Sequence, residues 1–164
     1  MSDRELSQGG AGLDKPAGSA LALLCFGLHA ASRAMTAVYR PLLEEIGLTY
    51  PQYLVMLLLW EDEPRRVNDL GHVLELDSGT LSPLLKRLEA AGLVRRERRA
   101  ADEREVEVTL TTEGRALQER ATHIPRTIER ATNLSGEEIE ALRARLTDLR
   151  AALRLTLSPS ESGE

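Results

Sequence analysis

Residues 76–110 read LDSGTLSPLLKRLEAAGLVRRERRAADEREVEVTL, and a change of period inside this stretch decides the fold. From Ser78 to Ala91 the apolar positions Leu81, Leu84, Leu85 and Leu88 lie on one helical face, which predicts an amphipathic helix stopped by Gly92. After Leu93 the period shortens to two. Leu93–Glu97 and Glu105–Leu110 are predicted strands, the second alternating strictly, and Arg98–Arg104 is a charged connection between them.

Upstream, Val67, Leu70, Val73 and Leu74 mark a short helix, joined to the next by the turn Glu75-Leu76-Asp77. Before it, Thr49-Tyr50-Pro51-Gln52 is a capping-box pattern with Thr49 as N-cap; its helix runs through Tyr53, Leu57 and Trp60 to about Asp62. The first helix is predicted from about Gly18 to Tyr39, with Leu21, Cys25, Leu28, Ser32, Met35 and Tyr39 on one stripe and Pro41 limiting its continuation. Downstream, two helices close the chain, one from Thr111 or Thr112 and one capped by Ser135-Gly136-Glu137-Glu138. Trp60, Met35 and Met56 are assigned to the core.

This order of helix, helix, turn, helix and hairpin with a charged tip is a winged helix-turn-helix, mainly α with a small β-hairpin. In that architecture the helix after the turn enters the major groove of DNA and the hairpin tip reaches the backbone or minor groove. The 164 residues suit a single domain at 18–157, flanked by a flexible arm at 1–17 and a flexible tail at 158–164. The DNA-binding lobe spans about 48–110.

Charge must be read locally. The chain carries 21 Lys and Arg against 26 Asp and Glu, a net −5 that taken alone argues against a nucleic-acid partner. Between Ser78 and Ala100, however, six cations (Lys86, Arg87, Arg95, Arg96, Arg98, Arg99) face two anions (Glu89, Glu97), a balance of +4. Phosphate contact needs local potential, so the acidic average does not exclude double-stranded DNA. Opposite the leucines stand Ser78, Gly79, Thr80, Ser82, Pro83, Lys86 and Arg87. Small residues and hydroxyls at the helix start let the backbone approach the duplex. Arg87 or Lys86 suits guanine edges, and Thr80 and Pro83 suit thymine methyls. Pro83, five residues on from Ser78, is expected to distort the first turn.

One cysteine, Cys25, excludes an intramolecular disulfide and a cysteine-cluster zinc site, and His29, His72 and His123 have no paired-ligand spacing. No metal or cofactor is expected. The longest apolar run, Ala20–Leu28, falls far short of the ~20 residues that span a bilayer. It lacks a signal peptide's basic flank, so the expectation is a cytoplasmic protein with no membrane partner.

Asp102-Glu103-Arg104 followed by Val106-x-Val108-x-Leu110-Thr111-x-x-Gly114 resembles the wing-to-helix signature of the MarR family of winged-helix transcription regulators. The resemblance covers roughly residues 20 to 155. By motif match, it implies that Arg104 enters the minor groove and that Asp102 orients it. A narrower likeness is carried by Leu24-Cys25-Phe26, Ala31-Ser32-Arg33, Tyr39-Arg40-Pro41-Leu42-Leu43, Leu48-Thr49-Tyr50-Pro51-Gln52-Tyr53 and Leu76-Asp77-Ser78-Gly79-Thr80-Leu81. These stretches are similar to the organic-hydroperoxide-resistance repressors, the OhrR subfamily. That resemblance implies a homodimeric repressor, with an N-terminal cysteine oxidised by organic hydroperoxide and an operator then released. Dimerisation helices are expected at about 18–46 and 111–157, and the operator is expected to be pseudo-palindromic.

The chemistry of Cys25 follows from the need for a thiolate, which alone attacks the peroxide O–O bond quickly. Tyrosine hydroxyls donate hydrogen bonds to a thiolate, a role that falls by position on Tyr39 and Tyr50 in the resembling subfamily. His29 stands where members of that subfamily can carry a third tyrosine. Cys25 and Tyr39 are 14 residues apart, about 21 Å along one helix, so cooperation between them requires the partner subunit's tyrosine. With one cysteine per chain, a sulfenic acid ends as a mixed disulfide with a small thiol or is over-oxidised. Two alternatives remain open. One is a MarR-type regulator released by a phenolic or aromatic-acid ligand, with Cys25 structural. The other is a one-cysteine peroxidase, although no threonine or arginine pattern flanks Cys25 to activate peroxide.

Overall fold

The computed structural model describes residues 17–99 and 102–157, with side chains described for 22–98 and 105–156. The expected arm up to residue 16 and the expected tail lie outside them, as do the side chains of Asp102 and Arg104. The elements run α1 (Ala17–Glu44), α2 (Tyr50–Glu61), β1 (Arg65–Arg66), α3 (Val67–Leu74), α4 (Ser78–Ala90), β2 (Val94–Arg99), β3 (Asp102–Leu110), α5 (Thr112–Ala121), α6 (Ile124–Thr132) and α7 (Gly136–Leu157). The chain divides into two compact units between Ala37 and Val38, inside α1.

In the first unit every described side chain of α1 is exposed except Thr36, and the exposed set includes Leu23, Leu24 and Phe26. The predicted stripe is therefore an uncovered face here. Met35, expected in the core, is 37% exposed. Its neighbours one turn either way, Ala31 and Tyr39's predecessor Val38, are exposed as well, so it lies on that same face.

In the second unit α1 continues past Pro41 to Glu44, beyond the expected end at Tyr39. Proline removes one backbone donor, but the added turn seats Leu43 in the core at 1% exposure. The chain then turns at Gly47, with φ +72. α2 opens as expected: the Gln52 side chain accepts from the Thr49 backbone N–H at 2.9 Å and from its hydroxyl at 3.0 Å. Its C-terminal carbonyls are met by Arg65, whose Nε donates to Leu58 O at 2.9 Å and Asp62 O at 3.0 Å.

α3 and α4 form the helix-turn-helix. Leu70 is fully buried, while Val73, expected among its apolar contacts, is half exposed. The turn passes through Glu75 in the left-handed region, φ 56. Asp77 then caps α4, its carboxylate accepting from Thr80 N–H at 2.8 Å. α4 ends in a Schellman arrangement: Leu93 N–H donates to Leu88 O at 3.0 Å and Gly92 N–H to Glu89 O at 2.9 Å. Gly92 takes φ +73, which a side chain would disfavour.

The hairpin is longer than expected. Most of the supposed connection Arg98–Arg104 is strand, because the pairing runs from Val94↔Leu110 to Arg99↔Asp102 with an irregularity between Arg98 and Arg99. A third strand went unforeseen: β1 pairs antiparallel with β3, Arg65 opposite Val108, giving the order β1-β3-β2. Two residues are too few to show a period. Thr111 caps α5, accepting from Gly114 N–H at 3.0 Å. The helix expected from there breaks into α5 and α6 at Thr122–His123, with Pro125 in the first turn of α6. The Ser135–Glu138 capping box is present: Ser135 N–H donates to the Glu138 carboxylate at 2.8 Å, and Glu138 N–H to Ser135 Oγ at 3.2 Å.

The core joins Leu43, Tyr53, Met56 and Leu59 to Leu70, Leu81, Leu85 and Leu88, with Val94 and Val108 from the hairpin and Ile124 from α6. Each such side chain contributes roughly 1.5–3 kcal/mol by leaving water. Among the described residues no helix is long and apolar enough to cross a membrane, and no group of three or more His, Cys, Asp or Glu could hold a metal ion.

Candidate functional site

The basic surface is built on α4 and the hairpin. Leu81, Leu84, Leu85 and Leu88 are buried, which turns Ser78, Gly79, Thr80, Ser82, Pro83, Lys86 and Arg87 outward; all seven are exposed. The Thr80 hydroxyl donates to Asp77 at 3.2 Å, so the cap occupies its proton and leaves its methyl for contact. α4 runs unbroken through Pro83. Pro83 has no N–H to donate to the Gly79 carbonyl one turn back, but Gly79 lies at the exposed start of the helix, where water can serve that carbonyl.

Not every counted cation is equally available. Arg96 lies against Glu89, its Nε donating to the carboxylate at 3.0 Å and its backbone N–H at 3.2 Å. That guanidinium holds the Glu89 carboxyl below the usual carboxylate range. The pair ties the end of α4 to β2. Arg95 and Arg98 on β2 are exposed, as are Lys86 and Arg87 on α4. Arg66 of β1 pairs with Glu105 at 2.9 Å.

Of the thiol-site residues, Cys25 and His29 stand one turn apart on α1, both exposed. Tyr39 and Tyr50 are brought together, with ring centroids 4.9 Å apart at 51°. Sequence reading missed a third member. Tyr53 lies 5.9 Å from Tyr39 and is 1% exposed. Its spacing of three from Tyr50 on α2 was the available signal. Tyr53 in turn meets Trp60 edge-on at 6.1 Å. Trp60, expected in the core, is half-buried and donates its indole N–H to Gly114 O at 2.9 Å. Met56 is fully buried, as expected.

Burial pushes the Tyr39 hydroxyl up to about 12, with Tyr50 and then Tyr53 adding to the effect. Burial, then Tyr50, raises Tyr53 too. Tyr39 therefore keeps its proton at neutral pH, and its hydroxyl has a hydrogen to donate.

The chain matches the family model described as transcriptional regulator SarA/Rot over residues 37–120. It is 50% identical over 126 residues to the organic hydroperoxide resistance transcriptional regulator of Bacillus subtilis (strain 168), covering 77% of this chain and 86% of that one. To the HTH-type transcriptional regulator TtmR of Methylorubrum extorquens (strain PA1) it is 46% identical over 138 residues, 84% and 71% of the two chains. Among solved structures it resembles reduced AbfR bound to DNA, AbfR being a Staphylococcus epidermidis protein. The TM-score is 0.71 at 37% identity, covering 82% of this chain and 94% of that one. The first two relatives are named as transcriptional regulators, not as enzymes, and the third is solved on DNA. On the fold and these identities, the chain belongs to the MarR family of winged-helix transcription regulators, in its one-cysteine organic-hydroperoxide-resistance (OhrR) branch.

Proposed function

We propose that this regulator is a homodimeric repressor that binds a pseudo-palindromic operator and leaves it when Cys25 is oxidised by an organic hydroperoxide. The observation that carries the reading is the convergence of Tyr39 and Tyr50, 4.9 Å apart with Tyr39 held protonated, in a chain with one exposed cysteine. The Cys25 thiolate attacks the peroxide; an S–O bond forms, the O–O bond breaks, and the alkoxide takes up a proton to leave as an alcohol. Sulfur loses two electrons to the peroxide. A small thiol then attacks the sulfenic acid, forming a mixed disulfide and releasing water.

The dimer is supported by uncovered apolar surface on the terminal helices, Leu24 and Phe26 on α1 and Leu142, Leu146 and Leu153 on α7. The α7 leucines, with half-buried Leu149, repeat at spacings of four, three and four, the seam of a helix pair. Ser78, Gly79, Thr80, Ser82, Pro83, Lys86 and Arg87 would face the major groove. Arg104, oriented by Asp102, would enter the minor groove. His29 would stand beside the thiolate as a third donor.

Operator binding with and without cumene hydroperoxide, read beside the mass of Cys25 in the same sample, tests the reading. The oxidised protein should lose the operator, and Cys25→Ser should bind it and ignore the peroxide. Binding that survives stoichiometric oxidation, or a response retained by Cys25→Ser, rejects it.

A further inference from the structure

The C-terminal end of α2 is fastened at two points to the root of the hairpin. Trp60 donates to Gly114 O at 2.9 Å. Just beyond the helix, the Glu63 carboxylate accepts from the Leu110 backbone N–H at 2.6 Å and from Arg115 Nε at 2.7 Å. Both straps grip the segment where β3 passes into α5. That segment is pressed in turn against the place where α4 passes into β2. Thr111 N–H donates to Leu93 O at 3.0 Å, and the Thr111 hydroxyl to Gly92 O at 2.6 Å. Gly114 sits so close that a Cβ there would lie 2.0 Å from Leu93 O.

At its other end α2 carries Tyr50 and Tyr53, which hold the Tyr39 ring between them at 4.9 and 5.9 Å. Tyr53 also meets Trp60 at 6.1 Å, so the contacts run without a gap from Tyr39 through α2 to Gly114. The helix has 12 residues, a length of about 18 Å, and Val55, Met56 and Leu59 are almost fully buried along it. A helix packed at core density shifts as a body rather than bending.

We propose that α2 is a rigid arm that transmits displacement of Tyr39 to the root of the wing, with Trp60 as the positioning residue at its far end. Trp60 then lies outside both the DNA-contacting surface and the thiol chemistry, and sets how strongly the two are coupled. The proposal rests on the redox reading only for what first displaces Tyr39; the coupling itself belongs to α2.

The test is a double-mutant cycle on operator affinity in the reduced full-length protein: parent, Tyr39→Ala, Trp60→Phe and the double variant. Trp60→Phe keeps an aromatic ring and loses the N–H. It should bind within about twofold of the parent, while Tyr39→Ala should change affinity about fivefold or more. In the Trp60→Phe background the Tyr39→Ala effect should shrink below about twofold. Additive effects, or no effect of Tyr39→Ala, overturn the proposal. Thermal unfolding checks that each variant folds, and a second cycle with Glu63→Ala, which removes the other strap, should show the same non-additivity. In a parallel arm with cumene hydroperoxide, Trp60→Phe should be oxidised at Cys25 as fast as the parent yet stay on the operator longer. Equal release overturns the proposal. A parent that ignores peroxide overturns the redox reading instead, while the reduced-state cycle still judges the arm.

Discussion

Tyr39 of α1 and Tyr50 of α2 meet with ring centroids 4.9 Å apart, although the turn containing Gly47 separates their helices. Their aromatic faces pack, and the hydroxyls remain the variable part of the pair. Replacing either with Phe keeps the ring and removes the hydroxyl that the proposed function assigns as a donor to the thiolate. A hydrogen bond to a charged group contributes about 1.5–3 kcal/mol. Tyr39→Phe and Tyr50→Phe should therefore each slow oxidation of Cys25 by cumene hydroperoxide by about tenfold or more. Reduced-state operator affinity should stay put, because packing is preserved. Stopped-flow oxidation with mass detection reads the first effect and a binding titration the second.

The raised Tyr39 value predicts an alkaline weakness. Its folded value, about 12, lies above the ordinary 10.0, so the folded state resists losing this proton. Stability from this group is intact below pH 10 and is lost as pH rises toward 12. Tyrosinate absorbance should show Tyr39 titrating last, with Tyr53 also above the ordinary value, and the last step should vanish in Tyr39→Phe. A parent whose three tyrosines all titrate near the ordinary value would refute the burial argument.

Exposed and paired cations on the basic surface should differ in their effect on DNA binding. Lys86→Ala and Arg87→Ala should each weaken operator binding and reduce the salt slope by about one. Arg96→Ala should reduce it less, because Glu89 already engages that guanidinium. Affinity measured against salt concentration ranks the three; equal slopes would mean the Glu89 pair opens on DNA.

Gly114→Ala places a Cβ 2.0 Å from a backbone oxygen that cannot rotate away. Overpacking costs about 1–3 kcal/mol, and a backbone obstacle puts this site at the upper end. A clear fall in unfolding midpoint, with weakened operator binding from a displaced wing, is expected. An unchanged midpoint would show that the wing root yields freely.

The leucine seam of α7 predicts oligomeric state. Leu146→Glu puts a charge in the middle of the seam, where a partner helix would strip it of water. Sedimentation should show a dimer for the parent and a shift to monomer for the variant, with helical content retained. A variant that remains fully dimeric would place the interface elsewhere.

The amino-acid order by itself determined the features that arise within one element or one turn. The leucine period of α4, the caps at Thr49 and Ser135, the turn glycine at position 92 and the alternation of β3 are set by neighbours within a few residues. Only tertiary structure decided what depends on partners far along the chain. The two-residue β1 exists because Val108 lies opposite Arg65. α1 crosses Pro41 because Leu43 has a core to enter. Gly114 reads in sequence as one residue of a signature; the fold supplies its reason, the carbonyl of Leu93 pressed against it. Likewise Tyr53 and Trp60 read as ordinary apolar positions, and became links between the tyrosine pair and the wing only once distant segments were brought within bonding distance. Local hydrogen bonding and periodicity are written in adjacent residues, whereas close approach between segments depends on the packing of the whole unit.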